Sequence, residues 1–191
     1  MSHSSREVYK VEVAGVTREL PLFEVAPGVR IAILNILGDV QLVDAVSREL
    51  AKKLEARKPE VLVTAEAKSI PLIHVLSTVM NVPYVVLRKK YKPYMGDAIE
   101  AETLSITTGE PQKLYLDEKD KDIISGRRVA LVDDVISTGS TLQAMRLIMD
   151  KVGAEVVAEA AIFTEGDRAK WRDIVALGHL PVFTDDRSQS S

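Results

Sequence analysis

At 191 residues, with 46% hydrophobic and 28% charged side chains, the chain is long enough to bury one sizeable core, and its length favours a single domain over residues 1–191. A formal net charge of -3 argues against a nucleic-acid or membrane-surface partner, and the absence of cysteine excludes disulfides and thiolate metal sites. No apolar run approaches the roughly 18 residues of a membrane span, and MSHSSREVYK holds no hydrophobic stretch that could serve as a secretion signal, so a cytoplasmic protein is expected.

In chain order, REVYKVEVAGVTREL alternates polar and apolar residues around a glycine and predicts a hairpin. After PLFEVAPG and VRIAILNILG, the residues Val40, Leu42, Val43, Val46, Leu50 and Leu54 stand at helical spacing, which predicts a helix over 39–57 capped by Asp39. EVLVTAEAKSIPL predicts a buried strand, a loop and a helix over 71–80, with Pro71 at a tolerated first-turn position. PYVVLRKKYK is a strand turning basic at its end, and EAETLSITTGEPQKLYL predicts a β-hairpin around Thr108-Gly109. RRVALVDD is another buried strand, followed by a helix over 141–152, a strand AEVVAEAAIF and a short helix over 167–177. The Ser-rich ends MSHSS and RSQSS are expected to fray. The alternation of elements implies an α/β fold with one open, mainly parallel sheet and helices on both faces.

RVALVDDVISTGSTLQAM is the segment that asks for a function. A strand that only fills a core gains nothing from ending in Asp133 and Asp134 followed by a hydroxyl-rich turn. In open parallel sheets ligands sit beyond the carboxyl ends of the strands, where these acids fall. Ser137, Thr138, Gly139, Ser140 and Thr141 then open a helix, and small-residue amides at a helix N-terminus form an anion nest. Two carboxylates beside a phosphate cradle suit a ligand with a phosphate and a polyhydroxyl or Mg²⁺-bound portion, and ribose 5-phosphate fits that description.

VALVDDVISTGST resembles the ribose-phosphate signature of the type I phosphoribosyltransferases. VTAEAKSIPL resembles their pyrophosphate loop and RKKYKPYM their basic strand end, in the same chain order. The resemblance covers about residues 59–163 and is nearest to the adenine enzymes and the archaeal-type hypoxanthine enzymes. It implies that Asp133 and Asp134 hold the ribose hydroxyls of phosphoribosyl pyrophosphate, with Mg²⁺ carried by the ligand and these acids as candidate ligands. It implies that residues 137–141 wrap the 5-phosphate, and that Glu66, Ala67, Lys68, Ser69, Arg88, Lys89 and Lys92 meet the pyrophosphate. Val135, Ile136 and Glu165 would edge the base pocket. A non-proline cis peptide is expected at Glu66-Ala67 or Ala67-Lys68, and a mobile loop over 91–108 with few apolar anchors. Residues 6–40 would form a small hood beside a core over 59–165, with 25–37 equally suited to the interface of a homodimer. Adenine is the first choice of base and a 6-oxopurine the second.

Three departures from the family stand out. Ser69 replaces the usual glycine, Ser137 replaces the acid of other hypoxanthine-guanine enzymes, and the mobile loop has only Glu100 and Glu102, earlier than the usual glutamate of adenine enzymes. The general acid therefore stays open. His74, His179 and Trp171 read as structural rather than as ligands or a stacking platform. A non-enzymatic sensor of phosphoribosyl pyrophosphate is the alternative reading. A receiver domain, whose acidic pocket ALVDD also resembles, lacks its further aspartate in AEVVAEAAIF.

Overall fold

The computed structural model describes residues 7–104 and 111–185. Strands β1 (Val8–Val13) and β2 (Val16–Ala26) pair antiparallel across Ala14 and Gly15, whose φ values of 50° and 74° are the left-handed pair a tight hairpin requires. β3 (Val29–Ala32) pairs antiparallel with β2. Asp39 caps α1 (Val40–Leu54), accepting from the Leu42 amide at 3.1 Å, while Arg18 grips the same carboxylate at 2.7 and 2.8 Å. That guanidinium holds the Asp39 carboxyl below its ordinary range. Leu42, Val43, Val46, Leu50 and Leu54 are buried as their spacing predicts. Full burial of each leucine contributes about 2 kcal/mol. Val40, at the same spacing but in the first turn, is 80% exposed.

β4 (Val61–Ala65) is buried throughout and leads through residues 66–69 into α2 (Ile70–Met80), with Pro71 in its first turn. β5 (Tyr84–Leu87) precedes the hairpin of β6 (Ile99–Leu104) and β7 (Pro111–Leu116). After the single turn α3 (Lys121–Ile124) come β8 (Arg128–Ile136), α4 (Ser140–Val152), β9 (Glu155–Glu165), β10 (Val175–Leu180) and β11 (Val182–Thr184).

Five strands form the central sheet in the order β10-β9-β8-β4-β5, every neighbouring pair parallel. The period-2 alternation divides the core between its faces: Leu62, Ala130, Val132, Ala160 and Ile162 pack with α1 and α2, while Val61, Val63, Val129, Leu131 and Ala161 pack with α4. This is the open parallel sheet with helices on both faces that the alternation of elements implies.

Two elements differ from expectation. The helix expected over 167–177 is a 3-10 turn, Arg168–Trp171, followed by β10, because Val175–Leu180 gains a parallel ladder with β9 that outweighs the helical spacing of Trp171, Ile174 and Val175. β11 returns to β3, so the antiparallel sheet β1-β2-β3-β11 combines both ends of the chain. Arg30 closes that junction with ion pairs to Glu7 and Asp185. The segments MSHSS and RSQSS and the Thr108-Gly109 turn lie outside the described residues. Among the described residues no helix is long and apolar enough to cross a membrane.

Candidate functional site

Parallel pairing brings the carboxyl ends of β4, β5 and β8 to one edge, where residues 66–69, 88–89 and 133–141 converge. Glu66, Ala67, Lys68, Ser69, Lys89, Asp133, Asp134, Val135 and Thr141 line one cavity of about 180 Å³. Three segments far apart in sequence, each singled out for the same ligand, thus share one space.

The acids are fixed by Ser69, itself only 2% exposed. Its hydroxyl donates to Asp133 Oδ1 at 2.8 Å and accepts from the Asp134 amide at 3.0 Å. The Asp134 amide also reaches Asp133 Oδ1 at 2.8 Å. Asp133 keeps a partly exposed edge on the cavity, whereas Asp134 is buried. Asp134 Oδ2 has no hydrogen-bond partner among the described residues, and Lys68 Nζ stands 3.5 Å away as an ion pair. Burial first, and the neighbouring Asp134 charge second, push the Asp133 carboxyl up to about 7. The proton belongs to the pair rather than to one residue. Lys68 also donates to the Leu34 carbonyl at 3.3 Å, tying the segment before α1 to the acids.

The Glu66-Ala67 peptide bond is cis, one of the two positions expected. The Glu66 carboxylate accepts from Arg88 Nε and from the Lys89 amide, both at 2.7 Å, which joins the loop after β4 to the end of β5. Arg88 is thereby turned onto Glu66. Lys92 opens the 3-10 turn Pro93–Met95, its carbonyl accepting from the Met95 amide at 2.9 Å. Neither Arg88 nor Lys92 lines the cavity; Lys68 and Lys89 do.

Gly139 precedes α4 at φ 83°, in the left-handed region that favours glycine. The first intrahelical bond runs from the Gln143 amide to the Gly139 carbonyl at 2.9 Å, which leaves the preceding amides without helical acceptors. Residues 135–139, Asp133, Thr141 and Leu142 surround a hollow of about 30 Å³. Ser137 and Thr138 are exposed, and Thr138 Oγ1 lies 3.1 Å from Ser140 Oγ. The arrangement offers amides, hydroxyls and a helix N-terminus to an anion. Of the expected base contacts, Val135 lines the larger cavity, while Ile136 is 2% exposed in the core beneath α4 and borders the small hollow instead. Glu165 is buried, which pushes its carboxyl up, and it lines neither space.

Among the described residues no three His, Cys, Asp or Glu side chains converge into a protein-only metal cage. Mg²⁺ ordinarily takes one or two carboxylates and fills its octahedron with water and substrate oxygens. Asp133 and Asp134 Oδ2, which has no hydrogen-bond partner among the described residues, would supply donors of that kind.

Supports that no local sequence signal marks also appear. Thr141 Oγ1 donates to Gln112 Oε1 at 3.0 Å, and Thr103 Oγ1 to the Ser140 carbonyl at 3.2 Å, so the hairpin braces the start of α4. Of the described residues over 91–108, Met95 is fully buried and Ala101 is 3% exposed, while Tyr91 and Tyr94 are exposed. Hydrophobic contact fixes the base of the hairpin.

The phosphoribosyl transferase domain family matches residues 33–180. A hypoxanthine/guanine phosphoribosyltransferase of Methanotorris igneus is 34% identical over 130 residues, covering 68% of this chain and 67% of that protein. A probable purine biosynthesis transcriptional regulator PurR of Streptococcus pneumoniae is 26% identical over 157 residues, 80% of this chain but 56% of that one. The crystal structure of adenine phosphoribosyltransferase from Thermoanaerobacter pseudethanolicus superposes with a TM-score of 0.65 over 90% of this chain and 95% of that one, at 22% identity, which is a likeness of fold. With a family match over residues 33–180, most of its length, the chain belongs to the phosphoribosyl transferase family.

Proposed function

We propose that the chain transfers ribose 5-phosphate from phosphoribosyl pyrophosphate to a purine base and releases pyrophosphate. The observation that carries this reading is the single cavity shared by the acid pair, the pyrophosphate loop and Thr141 of the phosphate loop. The 5-phosphate would dock on the amides and hydroxyls of residues 137–141, and the ribose hydroxyls on Asp133 and Asp134. Pyrophosphate would leave toward the 66–69 loop, Lys68 and Lys89. Displacement at the anomeric carbon passes through an oxocarbenium-like centre, as glycoside cleavage does, so the chain's task is to place charge and exclude water rather than to form covalent bonds. Mg²⁺ bound with the ligand would neutralise charge on the pyrophosphate.

For the base, similarity to the hypoxanthine/guanine enzyme favours a 6-oxopurine, and adenine, the first choice from sequence, is the other arm of the test. The assay is pyrophosphate release from phosphoribosyl pyrophosphate and Mg²⁺ with adenine, hypoxanthine, guanine, xanthine and orotate in turn. Release with one purine class and none with orotate is expected. Similarity to the PurR regulator supports a second reading, a sensor that binds phosphoribosyl pyrophosphate without turning it over. Tight binding with no release for any base would replace the enzyme by the sensor.

A further inference from the structure

Gly139, at the start of α4, has an indole against its Cα. A Cβ at this position would lie 2.6 Å from Trp171 Cη2 and 3.3 Å from Cζ3. The ring is anchored: its Nε1 donates to the Glu165 carbonyl at 3.0 Å, and its body packs on the core beneath α4. Next to it, Lys170 places Nζ 4.5 Å from the indole centroid and donates to the Thr138 carbonyl at 3.0 Å. Two consecutive residues of the 3-10 turn thus grip two consecutive residues of the phosphate loop. Neither Lys170 nor Trp171 borders the 30 Å³ hollow of that loop; both line a separate cavity with Thr138, Gly139 and Ser140.

We propose that Trp171, together with Lys170, is a positioning residue that presents the Gly139 amide to the phosphate. The inference rests on the phosphate-loop reading given above. Its physical basis is the planar trans peptide, in which C=O and N–H point in opposite directions. Lys170 draws the Thr138 carbonyl outward, so the Gly139 N–H of the same peptide is aimed away from Lys170, to the side of the hollow. The carbonyl dipole, which would repel an anion, is turned away by the same contact. Trp171 blocks the space into which Gly139 would otherwise relax.

The test compares the full chain with Trp171→Ala, Trp171→Phe and Lys170→Met. Inorganic phosphate titrated into each full chain, followed at the Gly139 amide by ¹H–¹⁵N NMR, should bind about tenfold more weakly in Trp171→Ala and Lys170→Met and less so in Trp171→Phe, which keeps a ring wall. The KM for phosphoribosyl pyrophosphate should rise about tenfold with kcat changed by no more than about twofold, the pattern of lost uniform binding rather than lost chemistry. Lys170 is exposed, so its variant reports even where Trp171→Ala fails to fold. Unchanged phosphate affinity in Lys170→Met overturns the proposal. So does a fall in kcat with KM held. Because the phosphate titration needs no turnover, it judges the clamp separately from the activity: failure of the unaltered chain to bind phosphate overturns the phosphate-loop reading and the clamp with it, whereas phosphate binding without pyrophosphate release for any base overturns only the proposed transfer.

Discussion

Ser69 Oγ and Asp133 Oδ1 lie 2.8 Å apart, and this contact joins the loop after β4 to the end of β8 across the sheet edge. The resemblance has glycine where this chain has Ser69, and a glycine offers no hydroxyl to either acid. Here the hydroxyl partly offsets a costly arrangement, since it favours the charged form of Asp133 while burial and Asp134 oppose it.

The balance has a pH signature. Asp133 has an ordinary value of 3.8 and is pushed up to about 7 in the folded chain. Between those values the folded chain keeps a proton that the unfolded chain has released, so the pair's contribution to stability is highest below the lower value and falls as pH rises toward the upper one. Asp133→Asn removes the titration and still accepts from Ser69. At pH 8 it should raise Tm by about 3 °C or more, the response of a chain of this size to roughly 1 kcal/mol, and at pH 4 it should leave Tm nearly unchanged. Equal effects at both pH values would sink the assignment.

Asp134→Asn separates ligand binding from folding. The carboxylate is 6% exposed, and its Oδ2 has no hydrogen-bond partner among the described residues, only the 3.5 Å ion pair with half-exposed Lys68, so a neutral amide removes a buried charge at the cost of one weak ion pair. Turnover should fall about tenfold or more while Tm holds or rises. A loss of activity that tracks a loss of folded protein would instead make Asp134 a structural residue.

These acids were legible because β8 announces itself as VALV and a buried strand has no use for two adjacent charges, although β8 runs on through Val135 and Ile136. Asp39 and the leucine stripe behind it made α1 equally plain. What stayed hidden depends on distant partners. Val175 and Leu177 fit a helix as readily as a strand until β9 supplies the ladder, and Val182–Thr184 pairs with Val29–Ile31 from the opposite end of the chain. Trp171 read as a packing residue, but that it packs against Gly139 is a tertiary fact without a local signal. The same holds for Gln112, whose partner Thr141 lies in another segment.

Gly139 and Gly38 make a controlled pair. Their φ values are 83° and 82°, but a Cβ at Gly38 meets nothing within 4 Å, while at Gly139 it meets the Trp171 ring. Gly38→Ala therefore carries only the backbone penalty of about 1 kcal/mol. Gly139→Ala adds a clash with an anchored ring and should lower Tm further and weaken inorganic phosphate binding about tenfold. Equal penalties, measured by thermal unfolding and phosphate titration, would show that the ring yields freely.

The hairpin that follows β5 decides whether the chain is a catalyst or a sensor. An oxocarbenium-like centre is consumed by any water that reaches it, so transfer to a base requires a cover during turnover. Met95, Ala101, Leu114 and Leu116 hold the base of the hairpin in the core, and Gln112 and Thr103 tie it to the first turn of α4. The near end of the hairpin is fixed by burial. Replacing residues 105–110 with a two-residue turn leaves those anchors in place. If the chain transfers ribose 5-phosphate, the shortened variant should keep its Tm, still bind phosphoribosyl pyrophosphate, and raise the ratio of phosphoribosyl pyrophosphate hydrolysed to nucleotide formed by about tenfold, the scale of a displaced catalytic cover. An unchanged ratio would place water exclusion elsewhere. Binding unchanged by the deletion, with no nucleotide formed by either protein, would favour the sensor.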